Sequence, residues 1–250
     1  MIELKNISLT LTGRLILNDV SLFIEEGTTS VILGPSGAGK STILKVILGL
    51  LKADSGSVII DGKNILDETG SDVLDVRRKI GMVFQANALF DSLTVEQNAA
   101  YFLKEGSDKP LNVISEKVEE VLSFVNLSGT EKLYPDQLSG GMKKRLAVAR
   151  ALALDPKIIL FDEPTTGLDP INTKAVLNLI KSLKSRGTTS VIVTHILNDA
   201  IAIGDVLTVI NDGKVITSGN LKDILKSKDQ FIKDFFYEIF EDASFFVNNK

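Results

Sequence analysis

What most constrains this chain is the stretch Gly34-Pro35-Ser36-Gly37-Ala38-Gly39-Lys40-Ser41-Thr42. Ser30-Val31-Ile32-Leu33 leads into it and Ile43-Leu44-Lys45-Val46-Ile47-Leu48 leads out, which predicts a buried strand, a glycine-rich turn and the first turns of a helix. Glycines at 34, 37 and 39 let the backbone fold tightly, so that successive N–H groups can point inward. The free N–H groups and roughly half a positive charge of the helix start fall at the same spot. Lys40 adds a full charge suited to β- and γ-phosphates, and the Ser41 hydroxyl suits a Mg²⁺ ligand. A plain Gly/Ser turn before an ordinary helix is the competing explanation. The complete G-x-x-x-x-G-K-S spacing in strand–loop–helix context favours a site for a nucleoside triphosphate.

Composition narrows the class. The 250 residues, 44% apolar and 24% charged, suit one large globular domain or two small ones with a substantial core. A net charge of −4 argues against a general phosphate-backbone binder, so no nucleic acid partner is expected. The chain has no cysteine, which rules out a disulfide framework or a thiolate metal site and fits a reducing compartment. Met1-Ile2-Glu3-Leu4-Lys5-Asn6 has no basic segment followed by an apolar stretch, so no signal peptide is expected. No stretch approaches the roughly 20 uninterrupted apolar residues of a membrane span. The expectation is a soluble, cytoplasmic chain that reaches a membrane only through a partner.

Taken in order, residues 1 to 33 alternate. Leu4, Ile7, Leu9 and Leu11 fall near one face, and Val20, Leu22 and Ile24 repeat at period two, which predicts a half-buried antiparallel layer. The helix after the phosphate loop is expected to run to about Leu50, with Gly49 and Asp54-Ser55-Gly56 closing it. Val58-Ile59-Ile60 before Asp61-Gly62 reads as a strand and turn, and Lys79-Ile80-Gly81-Met82-Val83-Phe84 leads to Gln85. From residue 86 to about 137 the apolar spacing turns helical, as in Val118, Val121, Leu122 and Val125, with Ser115 as the expected N-cap. This predicts an all-helical insertion in an α/β core, a subdomain of about residues 86–150. Ile158–Phe161 and Ser190–Val193 are continuous β-type runs, the mark of parallel strands covered on both faces. Between them a helix carries Val176, Leu179, Ile180 and Leu183 on one side, and Val206 to Ile216 reads as a hairpin turning at Asn211-Asp212-Gly213-Lys214.

The strand Ile158–Phe161 ends on Asp162-Glu163. Asp162 can hold Mg²⁺ through water, and Glu163 is placed to polarise an attacking water. Solvated carboxylates at a strand end are common, but Pro164-Thr165-Thr166-Gly167-Leu168-Asp169-Pro170 follows at once and strengthens the functional reading. His195, the chain's one histidine, also follows a strand, as do Gly34 and Asp162, which favours a role in the site. Leu138-Ser139-Gly140-Gly141-Met142 opens a second helix, Lys143 to Leu152, and offers a second anion site by the same logic. A head-to-tail dimer accounts for both, with each triphosphate held between one chain's loop and the other's Ser139-Gly140-Gly141.

The ordered set of the phosphate loop, Gln85, Leu138–Met142, Leu160–Glu163, Gly167-Leu168-Asp169 and His195 resembles the nucleotide-binding subunit of an ABC transporter. The likeness spans roughly residues 1 to 225. It implies an α/β fold: a P-loop NTPase core of ABC ATPase type with an N-terminal antiparallel β layer and a helical insertion. It also implies ATP hydrolysis with ATP and Mg²⁺ as cofactors. Gly34 to Thr42 and Gln85 would bind the nucleotide, while Ser41, Gln85 and Asp162 serve the metal. Glu163 would be the general base and His195 a γ-phosphate contact. Ser139, Gly140, Gly141, Met142 and Asp169 would act in trans on the partner's ATP. One departure is plain: the family has an adenine-stacking aromatic near residue 12, and here Leu9-Thr10-Leu11-Thr12-Gly13 has none.

Two features narrow the resemblance. Met142 is followed by Lys143-Lys144-Arg145, where many importers carry glutamines. Ala88-Leu89-Phe90-Asp91-Ser92-Leu93-Thr94-Val95 is similar to the same segment of Mla-type (MCE-linked) phospholipid transporter ATPases. Leu89, Phe90 and Leu93 would form an apolar knob beside Gln85 for a permease's coupling helix, or simply pack the helical insertion. The implied partners are a second copy, an integral-membrane permease, an MCE-type lipid-binding protein and a small accessory subunit, with the chain peripheral on the inner face of the cell membrane. An importer ATPase for a small solute and a non-transport ABC ATPase acting on a cell-envelope partner are the alternatives. Residues 229–250, after a main domain of 1–228, form an aromatic-rich extension: Phe231, Ile232, Phe235, Phe236, Ile239 and Phe240 pair at helical spacing, with Phe245 and Phe246 beyond. That extension either packs on its own domain or docks on a partner.

Overall fold

The computed structural model describes residues 1–66, 76–106 and 110–237. Alternating side chains build the first layer. Strands β1 (Ile2–Leu11), β2 (Arg14–Ile24), β4 (Ser55–Ile60) and β5 (Lys63–Asn64) form an antiparallel sheet in the order β2-β1-β4-β5. Its inner face is Ile2, Leu4, Ile7, Leu9, Val20, Leu22 and Ile24. The step from Leu4 to Ile7 breaks period two. There β1 advances three residues against two of β2, and Asn6 takes a φ of 50°, so a bulge moves the buried set from even to odd positions.

Strand β3 (Thr29–Leu33) leaves this layer, which corrects the expectation that residues 1 to 33 are one antiparallel unit. All of β3, β7 (Ile158–Asp162) and β8 (Thr189–Thr194) is buried, and a strand covered on both faces belongs inside a parallel sheet. With β6 (Ile80–Val83), β9 (Val206–Asn211) and β10 (Lys214–Gly219) they form a second sheet, ordered β10-β9-β3-β8-β7-β6. Only the β9–β10 hairpin is antiparallel in it. Alternate residues face two cores. Ile32, Leu160, Val191 and Val193 meet helix α1 (Lys40–Ile47) and the antiparallel sheet, while Val31, Leu33, Phe161 and Ile192 meet the remaining helices.

Helix α1 ends before Leu50. Leu48 is its C-cap and Gly49 follows at φ 64°, with Gly49 N donating to Val46 O and Leu50 N to Lys45 O, a Schellman closure that halts the helix. The helical region comprises α2 (Val95–Gly106), α3 (Leu111–Phe124), a 3₁₀ turn (Pro135–Gln137) and α4 (Gly140–Leu152). Ser115 is not the N-cap of α3, because the helix starts a turn earlier behind Pro110. Pro110 pre-sets the first turn, and buried Ile114 begins the apolar row that Val118, Val121 and Leu122 continue. Helix α5 (Pro170–Ser185) buries Val176, Leu179, Ile180 and Leu183, and α6 (Leu197–Ile203) and α7 (Leu221–Ile224) complete that side.

The tail packs on its own domain as far as it is described. In α8 (Gln230–Phe235) Ile232 is fully buried, as is Phe236 just beyond it, and Phe231 and Phe235 lie against the same core. Ile239, Phe240, Phe245 and Phe246 lie outside the described residues. Among the described residues no helix is long and apolar enough to cross a membrane.

Candidate active site

Strands β3, β6, β7 and β8 run parallel, so their carboxyl ends, and the residues that follow them, gather along one edge of the sheet. Gly34, Gln85, Asp162-Glu163 and His195 all sit there. The loop after β3 owes its shape to glycines at two levels. Gly37 and Gly39 take left-handed φ values of 82° and 99°, which suit glycine alone without strain. Gly34 is excluded from any other identity by contact: an added Cβ would fall 2.1 Å from the Ile210 carbonyl oxygen of β9. The turn after β9 backs the loop from behind, with Gly213 N donating to Ala38 O (3.2 Å) and Asn18 N to Gly213 O (2.9 Å). No side chain caps the start of α1, so its first N–H groups are available to an anion.

The Ser41 hydroxyl donates to Asp162 Oδ1 at 2.7 Å, joining the loop to the end of β7. Lys40 is 6% exposed; its Nζ donates to Gly34 O (2.8 Å) and Pro35 O (2.9 Å) and lies 3.9 Å from Glu163 Oε1. Burial lowers its pKa, opposed by the charges of Glu163 and Asp162. Glu163 sits at φ 49°, a conformation an unbranched L-residue adopts at a cost, and such strain gathers at functional sites. Its carboxylate is buried and fully engaged. Oε1 lies 3.0 Å from His195 Nδ1, and Oε2 accepts from Thr166 Oγ1 (2.9 Å) and Thr194 Oγ1 (3.3 Å). The His195 side chain is 44% exposed, so the rest of the ring faces the opening. A hydroxyl beside one carboxylate fits Mg²⁺, which takes few protein oxygens and completes its shell with phosphate and water. No group of three or more His, Cys, Asp or Glu suited to a metal occurs among the described residues.

Two side chains missed by sequence reasoning, Arg14 and Ile16 of β2, line the cleft with Gly37, Gly39, Lys40, Ser41 and Thr42. The search for an aromatic passed over them. The available signal was their position: residues 14 and 16 share one face of a strand that starts at the Thr12-Gly13 turn.

Gln85 follows β6 and is exposed; Val83 pairs with Phe161, so Gln85 lies two residues beyond that pair as Glu163 does. Buried groups hold the segment that follows. Lys144 of α4, 2% exposed, donates to Gln85 O (2.9 Å) and Phe84 O (3.4 Å). Burial pushes its pKa down to about 8, with Asp162 and Glu163 acting against that fall. Arg150, 4% exposed, donates to Asn87 O (2.9 Å) and Ala88 O, and its guanidinium lies 5.8 Å from the Phe90 ring centre and 5.9 Å from that of Phe102. Asn98 of α2, fully buried, accepts from Phe90 N and donates to the carbonyls of Phe90, Leu93 and Thr94. Leu89 packs on the core and Phe90 lies tilted against Tyr101 with ring centres 4.3 Å apart, so this pair is held in the helical region rather than left bare.

Ser139, Gly140, Gly141, Met142 and Asp169 form a separate surface. Ser139 is the N-cap of α4, its Oγ accepting from Met142 N at 3.3 Å. Gly141 faces α5 so closely that an added Cβ would fall 2.0 Å from Asn172 Oδ1. Asp169 caps α5 by accepting from Ile171 N and Asn172 N, and the hydrogen bonds from Asn172 hold its carboxyl below the usual range. Ser139, Gly140 and Asp169 are exposed. Lys40, Ser41, Asp162, Glu163 and His195 are joined by direct contacts, while Ser139 and Asp169 hydrogen-bond to the first turns of α4 and α5.

Comparison with known proteins adds four likenesses. A family model described as "ABC transporter" matches residues 17–166. The intermembrane phospholipid transport system ATP-binding protein MlaF of Haemophilus influenzae is 40% identical over 238 residues, 93% of this chain and 90% of that protein. The methionine import ATP-binding protein MetN of Legionella pneumophila (strain Lens) is also 40% identical, over 95% of this chain and 70% of its own length. Among solved structures, a dimeric ATP-binding cassette in a post-hydrolysis state with ADP and Pi superposes with a TM-score of 0.80 at 36% identity, covering 88% of this chain and 99% of that one.

Proposed function

The chain belongs to the ABC transporter family and is an ATPase of that family, and on this premise we propose that it drives phospholipid transport through a membrane permease as a head-to-tail homodimer. The observation that carries the chemistry is the buried Glu163 carboxylate, held by His195, Thr166 and Thr194 beside the Ser41–Asp162 pair. Residues 34–42 bind the triphosphate through backbone N–H groups, and Lys40 turns from the carbonyls of Gly34 and Pro35 to the β- and γ-phosphates. Ser41 and Asp162 would hold Mg²⁺, with Gln85 following β6 at the same edge of the sheet, and the bound ion would supply charge neutralisation at the phosphate oxygens. Glu163 takes a proton from the attacking water, and His195 keeps that carboxylate oriented while its exposed side meets the γ-phosphate.

The second anion site supports a dimer. Ser139 and Gly140 sit exposed at the start of α4, open to the phosphate loop of a second copy. In that arrangement Ser139 to Met142 and Asp169 act on the partner's ATP. Likeness to MlaF over most of both chains supports phospholipid as cargo, with a permease and an MCE-type lipid-binding protein as partners at the inner face of the membrane. The comparable likeness to MetN supports the second reading, an importer ATPase for a small solute. A mild-detergent pull-down of the tagged chain with mass spectrometry separates the two. Recovery of a permease with an MCE-type protein is the expected result; a soluble solute-binding protein in its place overturns the lipid assignment and leaves the ATPase standing.

A further inference from the structure

A buried ammonium ordinarily finds a carboxylate, because an uncompensated charge out of water is expensive. Lys144 has no ion-pair partner among the described residues; its Nζ goes instead to two backbone carbonyls, those of Gln85 and Phe84. A neutral amide could serve the same acceptors without the desolvation of a full charge. The sequence KKR after Met142 places this lysine where a glutamine would meet that need. Asp162 and Glu163 lie near enough to stabilise the charge without pairing to it. They are therefore flanked by two buried lysines, Lys40 from the phosphate loop and Lys144 from α4.

The position of Lys144 on its helix gives the contact its meaning. It lies between Ser139, the exposed N-cap of α4, and Arg150, whose guanidinium fixes the carbonyls of Asn87 and Ala88. A helix is stiff over such a span, so α4 and the backbone from Phe84 to Ala88 form one body. We propose that Lys144 is a positioning residue that ties Gln85 to α4, so that whatever engages Ser139 and Gly140 also sets Gln85 against the end of β7. The charge serves this purpose because a charge-assisted contact to a carbonyl is stronger than a neutral one. The inference rests on the reading given above, with Gln85 at the metal and Ser139-Gly140 on a partner's nucleotide.

The test is a double-mutant cycle on the full chain with Lys144→Met, Gln85→Ala and the pair. Three quantities are measured: kcat and KM for ATP, the Mg²⁺ concentration that half-saturates binding of a fluorescent ATP analogue, and Tm. Lys144→Met is expected to lower kcat by about 10-fold and to raise the half-saturating Mg²⁺ by about 5-fold, while affinity in EDTA stays within about 2-fold. In the Gln85→Ala background the same change should have almost no further effect, and Lys144→Arg should restore most of the loss. A Lys144→Met protein with altered Tm but unchanged kcat and Mg²⁺ dependence, beside a damaged Gln85→Ala, overturns the proposal alone. Fully additive losses overturn it too, since Lys144 would then act without Gln85. A silent Gln85→Ala overturns the reading of Gln85, and the coupling with it. Should Lys144→Met fail to fold, Lys144→Ala, which also leaves the carbonyls of Gln85 and Phe84 without this donor, carries the same comparison.

Discussion

Replacing Glu163 by glutamine changes one oxygen for one amide nitrogen, and the surroundings indicate what survives. The retained carbonyl oxygen can still accept from Thr166 Oγ1 and Thr194 Oγ1, and the new NH₂ can face His195 Nδ1 as an acceptor. Folding stability should therefore stay within about 1 kcal/mol, the net worth of a typical hydrogen bond. The negative charge 3.9 Å from Lys40 disappears, which leaves that lysine freer to bind phosphate, so nucleotide affinity should hold or rise. What is lost, on the role proposed for Glu163, is the group that accepts the proton from water. Removal of a general base slows turnover by on the order of 10²–10⁴, about 2.7–5.4 kcal/mol of barrier at 1.36 kcal/mol per decade. Phosphate release under saturating ATP and Mg²⁺ measures the rate, and gel filtration with ATP reports whether the stalled protein accumulates as a dimer. Turnover within about five-fold of the parent would refute the assignment of Glu163 as base.

Four further outcomes are expected. Lys40→Ala should weaken ATP binding by on the order of 10²-fold in a nucleotide titration, because charge-assisted contacts to phosphate are lost. Arg14→Ala should raise KM for ATP a few-fold with kcat nearly unchanged, since Arg14 lines the cleft and touches none of Asp162, Glu163 or His195; an equal fall in kcat would contradict that placement. Asn98→Ala removes the side-chain acceptor of Phe90 N and a donor to the carbonyls of Phe90, Leu93 and Thr94, of which Phe90 O and Thr94 O keep a backbone donor, and should cost about 1–3 kcal/mol in urea unfolding; a loss under about 0.5 kcal/mol would contradict the clamp. Deleting residues 241–250 should weaken the assembled complex, and unchanged assembly with unchanged Tm would remove any role for the aromatic tail in it.

Local patterns made much of this molecule legible. Fully apolar runs marked β7 and β8 as buried parallel strands, and the glycine spacing marked the phosphate loop, because both depend on neighbours in the chain. The face of β1 was legible too, since Leu4, Ile7 and Leu9 are buried together across the bulge at Asn6. Boundaries were less so: Pro110 starts α3 a turn ahead of Ser115, and β3 leaves the antiparallel layer for the parallel sheet. The clamp on residues 84–94 was illegible for a different reason. Lys144 and Arg150 look like the solvent face of an amphipathic helix, and only the fold brings them to carbonyls about sixty positions away. Arg14 and Ile16 were passed over because their position beside the loop depends on how the two sheets meet.

The β9–β10 turn bears on how this protein can be handled. A hairpin tip such as Asn211-Asp212-Gly213-Lys214 is where an epitope tag, a fluorophore or a new pair of termini would ordinarily be placed. Here Gly213 props Ala38 from behind, and an added Cβ at Gly213 would fall 2.3 Å from the Ile16 carbonyl oxygen. Labels at that tip would report on a damaged triphosphate site while leaving the sheet intact. The Asp61-Gly62 turn, where nothing lies within 4 Å of an added Cβ at Gly62, is the better place to attach a probe.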